Sequence, residues 1–275
     1  MKNKKLSELF MALITHGAAL VTLGVLSFLV IFIFVKGVPH LTPSLFSPSY
    51  NSKNVSLTPA LVSTVLMTPM ALVITTPLGV FAAIYLTEYA KRGSRWVTLV
   101  RVTTEALSGI PSIVYGLFGS LFFVLFMGWG YSVLAGVFTL SIMILPLIMR
   151  SSEEALKSVP DAYREGAFGL GAGKLRTVFK IVLPSAMPGI LAGVILSTGR
   201  IVGETAALIY TAGTVAQIPS NPMQSARTLS VHMYALSTEG LHTNESYATA
   251  VVLLVVVILI NMASAKISRR IGNQE

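Results

Sequence analysis

Six long apolar blocks constrain this chain more than any other feature. They run over about Ala12–Val35, Pro59–Leu86, Arg101–Met127, Tyr131–Met149, Pro188–Ala212 and Tyr247–Ala265. A run of about 20 apolar residues is long enough to cross a bilayer as a helix. The residues are blocked rather than alternating, so half-buried strands are not indicated. Composition agrees: 53% of residues are hydrophobic and 11% charged, against about 25% charged in a soluble domain. The expectation is an all-α integral membrane protein with six transmembrane helices, residues 1–275 forming a single transmembrane domain. The first span, 12–35, precedes a core of five spans at 59–265. It follows a basic stretch, MKNKKLSELF, that resembles a signal-peptide n-region. The apolar run is too long for a typical h-region and no small-x-small pattern closes it before Lys36, so it is expected to stay as an uncleaved span.

Charge predicts the orientation. Six spans put both termini on one side. With the termini in the cytoplasm, fifteen Lys and Arg fall on inside segments, and Lys36, Lys53 and Arg227 on outside ones. Arg101 and Arg200 remain within spans. This is the positive-inside pattern. It accounts for the net charge of +9 through lipid and topology, with no role for nucleic acid. The chain has no cysteine, which excludes disulfides and thiolate metal sites. An H-E-x-x-H motif is missing, so an intramembrane metalloenzyme is disfavoured. No G-x-x-x-x-G-K-[ST] phosphate loop is present, so the chain itself is not expected to hydrolyse ATP or to bind a metal or cofactor.

Two charge pairs lie inside apolar blocks. Arg200 and Glu204 stand in GRIVGETAAL, Arg101 and Glu105 in RVTTEALSGIPSIVYG. A charge at a helix centre costs roughly 2.5–3.5 kcal/mol on insertion scales. Each pair is expected to share a helix face at i,i+4, in the Arg-before-Glu order that stabilises a helix less. One reading is internal neutralisation, with snorkelling open to Arg101. The other is an anion pathway, because a guanidinium stays charged and its fork suits carboxylate or phosphate oxygens. Glu204 would then neutralise Arg200, or accept a hydrogen bond from a protonated oxyanion. Gly109-Ile110-Pro111-Ser112 should break the third span, either as a packing kink or as a bend lining the pathway; Ser112 can help satisfy the freed backbone groups.

Two connections are long, 150–184 inside and 213–246 outside, and long loops are often functional. The inner one reads RSSEEALKSVPDAYREGAFGLGAGKLRTVFKIVLP. Ser158 can cap a helix opened by Pro160 with Asp161 in its first turn. Tyr163, Gly166, Ala167 and Leu170 would form one apolar stripe, and Gly169, Gly171 and Gly173 would end the helix. A second helix from Lys174 to Val182 would stop before Pro184. From pattern alone this is either a membrane-surface connector or a docking elbow.

The elbow resembles the EAA-type loop of permeases in binding-protein-dependent ATP-driven importers. Glu165-Gly166-Ala167, Gly171 and Ile181-Val182-Leu183-Pro184 match its spacing, with Gly166 replacing the first alanine. PLGVFAAIYLTEYAKRG, EALSGIPSIVYGLFG, GRIVGETAAL and ARTLSVHMYAL are similar to phosphate-importer permeases of the PstA type, over roughly Pro59 to the end. The resemblance implies the type I importer permease architecture, in a bacterial plasma (inner) membrane. It implies ATPase coupling through Glu165, Gly166, Ala167, Gly171, Ile181, Leu183 and Pro184, and pathway roles for Arg200 and Glu204. The implied partners are a PstC-like second permease, an ATPase dimer that binds ATP and Mg, and an external phosphate-binding protein, with inorganic phosphate as substrate. Permeases for molybdate or sulfate share the fold. A secondary transporter or channel is the alternative of a different class.

Overall fold

The computed structural model describes residues 2–91 and 93–272. Arg92, one of the inside cations, lies outside the described residues. Among those described, regular structure is helical throughout. Five helices are long and apolar enough to cross a membrane: Phe10–His40, Thr58–Tyr89, Val133–Ser158, Lys174–Gly203 and Thr243–Ala263. The sixth expected span is a bent pair, Arg95–Ser108 and Ser112–Phe126, meeting at 99°.

Helix α1 (Lys2–Gly37) leans on the last helix, α11 (Thr243–Gly272), and exposes its apolar side chains along most of its length. At its end a Cβ on Gly37 would strike Tyr247 and Val251. Two short 3-10 turns, Val38–His40 and Pro43–Phe46, lead into α2 (Thr58–Ile84), which continues as a π turn over Tyr85–Tyr89. Buried Ser63, Thr64, Thr68 and Thr75 each donate to the carbonyl four residues back. That bond lets a hydroxyl sit in an apolar helix without an orphan donor.

Helices α3 (Arg95–Ser108) and α4 (Ser112–Gly119, continuing as a π turn to Phe126) form the bent pair. The break falls at Gly109-Ile110-Pro111, where Pro111 takes an extended conformation and ends any helical path. The Tyr115 hydroxyl reaches back across it to the Leu107 carbonyl at 2.8 Å. Ser112 opens α4. The bend is far sharper than a packing kink, so Arg101–Met127 is not one straight span.

Helix α5 (Val133–Ser158) is the central post and packs most against α2 and α8. It runs on past Met149, so the residues from Arg150 to Ser158 are helix rather than loop. Ser158 ends α5 and donates to Ala155 rather than capping the next helix. Then come α6 (Asp161–Gly169), α7 (Lys174–Thr177), a π turn (Val178–Val182) and α8 (Leu183–Gly203). The expected stop before Pro184 does not occur. Pro184 sits in the first turn of α8, where its missing N–H costs little, and Lys174–Gly203 is one 30-residue rod. Small residues let α8 approach α5 closely: Gly189 faces Ala155 and Gly193 faces Ser151. Short α9 (Ala206–Ile209) and α10 (Leu229–Glu239) precede α11.

Two apolar cores stack along this frame. One joins Met67, Leu140, Ile144, Ile201, Leu208 and Val231. The other, at the elbow end, joins Ile84, Val97, Leu156, Val178 and Val182.

Candidate functional site

The antiparallel register of Gly189 with Ala155 and Gly193 with Ser151, continued along both helices, puts Arg200 level with about Ile144. That is near the middle of α5. The local geometry differs from the expectation. Helix α8 ends at Gly203, and Glu204 is extended with φ −71° and ψ 127°. Glu204 therefore does not follow Arg200 on one helical face. An unbroken apolar run hid this end; Gly199 and Gly203 are weak helix formers beside it.

Glu204 is 8% exposed. Its amide donates to the Ile201 carbonyl at 3.1 Å. Its carboxylate accepts from the Ala207 amide at 3.1 Å, in the first turn of α9. Its carbonyl accepts from the Ser230 hydroxyl at 2.6 Å. Non-helical backbone at membrane depth is tolerated only when buried in protein or lining a wet cavity, and Glu204 supplies the bonds that make this break possible. Arg200, half-buried, makes no ion pair or side-chain hydrogen bond among the described residues. Its fork of donors is uncommitted.

Arg101 and Glu105 are not a pair either. Arg101 Nε meets Glu153 of α5 at 2.7 Å, and Lys157 shares that carboxylate at 2.7 Å. Glu105 is exposed on the same end of the molecule. Both line a small basic-acidic cleft with Arg150 and Glu154. A partner 52 residues away in the chain is invisible to helix spacing.

At the elbow, Glu165 and Gly166 are exposed on α6 while Ala167 turns inward, 5% exposed. The expected four-residue stripe is therefore split, with Tyr163 and Leu170 outside. Leu170 is 91% exposed, and Phe168 and Leu175 stand out nearby. A Cβ on Gly166 would meet nothing within 4 Å. Gly171 reverses the chain at φ +79°, a conformation glycine adopts without penalty. Ile181, Leu183 and Pro184 are half-buried along the rod that leads to Arg200.

One partnership escaped the sequence. Arg164 of α6 grips Glu88 at the end of α2: Nη2 to Oε1 at 2.7 Å, and Nε to both carboxylate oxygens at 3.2 and 3.3 Å. It also donates to the carbonyls of Val159 at 2.8 Å and Leu156 at 3.0 Å, and to Asp161 at 3.2 Å. The Glu88 hydrogen bond holds the guanidinium above its ordinary pKa. The elbow is thereby bolted to the ends of α2 and α5. A cavity of about 620 Å³ opens beside the bolt, lined by Lys91, Lys157 and Lys174 among others.

Residues 75–273 match the family model described as "Binding-protein-dependent transport system inner membrane component", and the chain belongs to that family. It is 36% identical over 211 residues to a probable ABC transporter permease protein, YqgI, of Bacillus subtilis, covering 71% of each chain. It is 36% identical over 212 residues to the phosphate transport system permease protein PstA 1 of Mycobacterium tuberculosis, covering 76% of this chain and 69% of that one. A chain of a bacterial alginate ABC transporter superposes with TM-score 0.67 at 16% identity, covering 93% of this chain and 94% of the other. The chain is thus the permease subunit of an ABC importer, which sets aside the channel and secondary-transporter readings. An ATPase and a substrate-binding protein are its implied partners.

Proposed function

We propose that this permease carries inorganic phosphate, as the PstA-like subunit beside a PstC-like second permease, an ATPase dimer and an external phosphate-binding protein. The observation that carries the reading is Arg200. It stands level with the middle of α5 with its donors unengaged among the described residues, in a chain 36% identical to a phosphate permease. A guanidinium there offers charge and a bidentate fork to an oxyanion that lipid would exclude. Glu204 completes the site from behind, by holding the helix break open. Arg101 and Glu105 stand at the cytoplasmic mouth, where the anion leaves. The chain lies in a bacterial inner membrane with both termini in the cytoplasm, and ATP and Mg act at the partner.

The mechanism is mechanical. Closure of the ATPase dimer moves α6. The Arg164–Glu88 bolt passes the displacement to α2, and the continuous helix Lys174–Gly203 passes it to Arg200. At 1.5 Å per residue, Arg200 lies about 39 Å from Lys174 along that rod. Binding protein docks on the side opposite α6, phosphate meets Arg200 in the outward state, and hydrolysis returns the pore inward.

The test is co-purification of the assembled complex followed by ATP-dependent uptake in vesicles, with sulfate and molybdate as competitors. Phosphate uptake that persists without this chain would overturn the reading. Uptake of molybdate or sulfate in place of phosphate would assign another oxyanion.

A further inference from the structure

A second unpaired arginine lies at the end of the molecule opposite α6. Arg227 just precedes α10 and is 5% exposed. Its Nε and Nη2 are buried without a hydrogen-bond partner, and it makes no ion pair among the described residues. A buried guanidinium left unpaired is strongly unfavourable. It is not a topological charge, because it does not reach the surface.

Its surroundings are arranged. The guanidinium carbon lies 4.6 Å from the centre of the Tyr50 ring, over its face. A ring face compensates charge, but the N–H donors still require oxygens. The same ring meets His232 of α10 edge-on, with centroids 6.1 Å apart. His232 is wholly buried, and neither ring nitrogen has a partner of hydrogen-bond geometry. Burial first, then the charge of Arg227, pushes its pKa down to about 3, opposed by the Val55 backbone. The imidazole is therefore neutral and presents one donor and one acceptor.

This cluster is wired to the helix break. Thr228, next to Arg227, bonds Ser230 at 3.0 Å, and Ser230 donates to the Glu204 carbonyl at 2.6 Å. Backbone connects Glu204 to Arg200. These nitrogens are closed to solvent here, so an anion reaches them only when the Tyr50 segment or α10 moves aside.

We propose that Arg227, His232 and Tyr50 hold a small tetrahedral oxyanion on the side of the membrane opposite α6, one stop before Arg200. Arg227 supplies charge and two in-line donors, and His232 accepts from a protonated oxygen or donates to a bare one. The proposal rests on the oxyanion reading of Arg200 and adds a receiving site to it.

The test is hydrogen–deuterium exchange on the whole importer in nanodiscs, without binding protein, as inorganic phosphate is raised to millimolar. Phosphate should slow exchange in residues 50–57 and 227–239. Arg227→Gln should lose that protection while the complex still assembles. Arg227→Lys, which keeps the charge but not the fork, should need roughly 10-fold more phosphate. If Arg227→Gln does not assemble, the Lys variant decides. Unchanged protection in the variants, or none in the parent complex, overturns the site. Protection that appears only when phosphatidylglycerol is added, independent of phosphate, assigns the contact to a lipid headgroup and also overturns it. Protection by sulfate alone, with no phosphate uptake, supports the site and sinks the phosphate assignment. Phosphate uptake without local protection does the reverse.

Discussion

Arg164 and Arg200 sit near opposite ends of one mechanical line and differ in how they are held. Arg164 spends its fork on Glu88, Asp161 and two backbone carbonyls. Arg200 spends none among the described residues. The difference separates two uses of a guanidinium. Where every donor is satisfied by protein, the residue transmits position. Where the donors are left open, as at Arg200, the fork is free for the anion proposed above.

The sharpest way to break this contrast is Arg200→Gln. Phosphate uptake should be abolished while the ATPase still co-purifies, because nothing in the fold depends on that fork. Loss of assembly would move Arg200 into the structural class with Arg164.

Gly166→Trp comes next. The residue faces open space on α6, so the bulk should leave the permease folded and displace the ATPase, read by loss of co-purification. Gly171→Trp is a poorer probe, since φ +79° would strain any side chain there. Normal capture of the ATPase by Gly166→Trp would remove α6 from the docking surface.

Arg164→Ala should cost about 3–5 kcal/mol, the usual effect of orphaning a buried partner, and lower the phosphate moved per ATP hydrolysed in whatever complex remains. A transport-to-hydrolysis ratio equal to the parent's would make the bolt purely structural.

Glu204 tests a finer point. Glu204→Ala should cost about 1 kcal/mol through the lost hydrogen bond to the Ala207 amide. Glu204→Gln retains an acceptor oxygen for the Ala207 amide and should restore both stability and uptake. Impaired uptake in Gln, with a changed pH profile, would mean that the carboxylate also reads the proton on phosphate. The smallest effect belongs to Arg101→Ala: its side chain is 42% exposed, and such pairs contribute roughly 0–1 kcal/mol. Thermal unfolding of the complex checks it.

Much of the frame was legible because hydrocarbon imposes length and periodicity on a chain. The apolar blocks located the spans, the loop spacing located the elbow, and Arg200 stood out as a charge in grease. What the sequence concealed were places where one helix's fate depends on another. Gly203 ends α8 because Glu204 and Ser230 satisfy the break, and Ser230 lies 26 residues further on. Glu88 and Arg164 are 76 residues apart, and helix spacing carries no trace of their contact. Pro184 looked like a stop signal, yet a proline in a first turn is compatible with a continuing helix. Arg227 read as an ordinary outside cation until its burial was visible.

The central claim is that an open guanidinium at mid-membrane serves phosphate. The most direct measurement is ATP-dependent phosphate uptake by vesicles carrying the assembled importer, parent against Arg200→Gln, at equal complex content and with ATP hydrolysis followed in parallel. The account predicts uptake in the parent, none in the variant, and an intact ATPase-bound complex in both. Near-parental uptake by Arg200→Gln would contradict it.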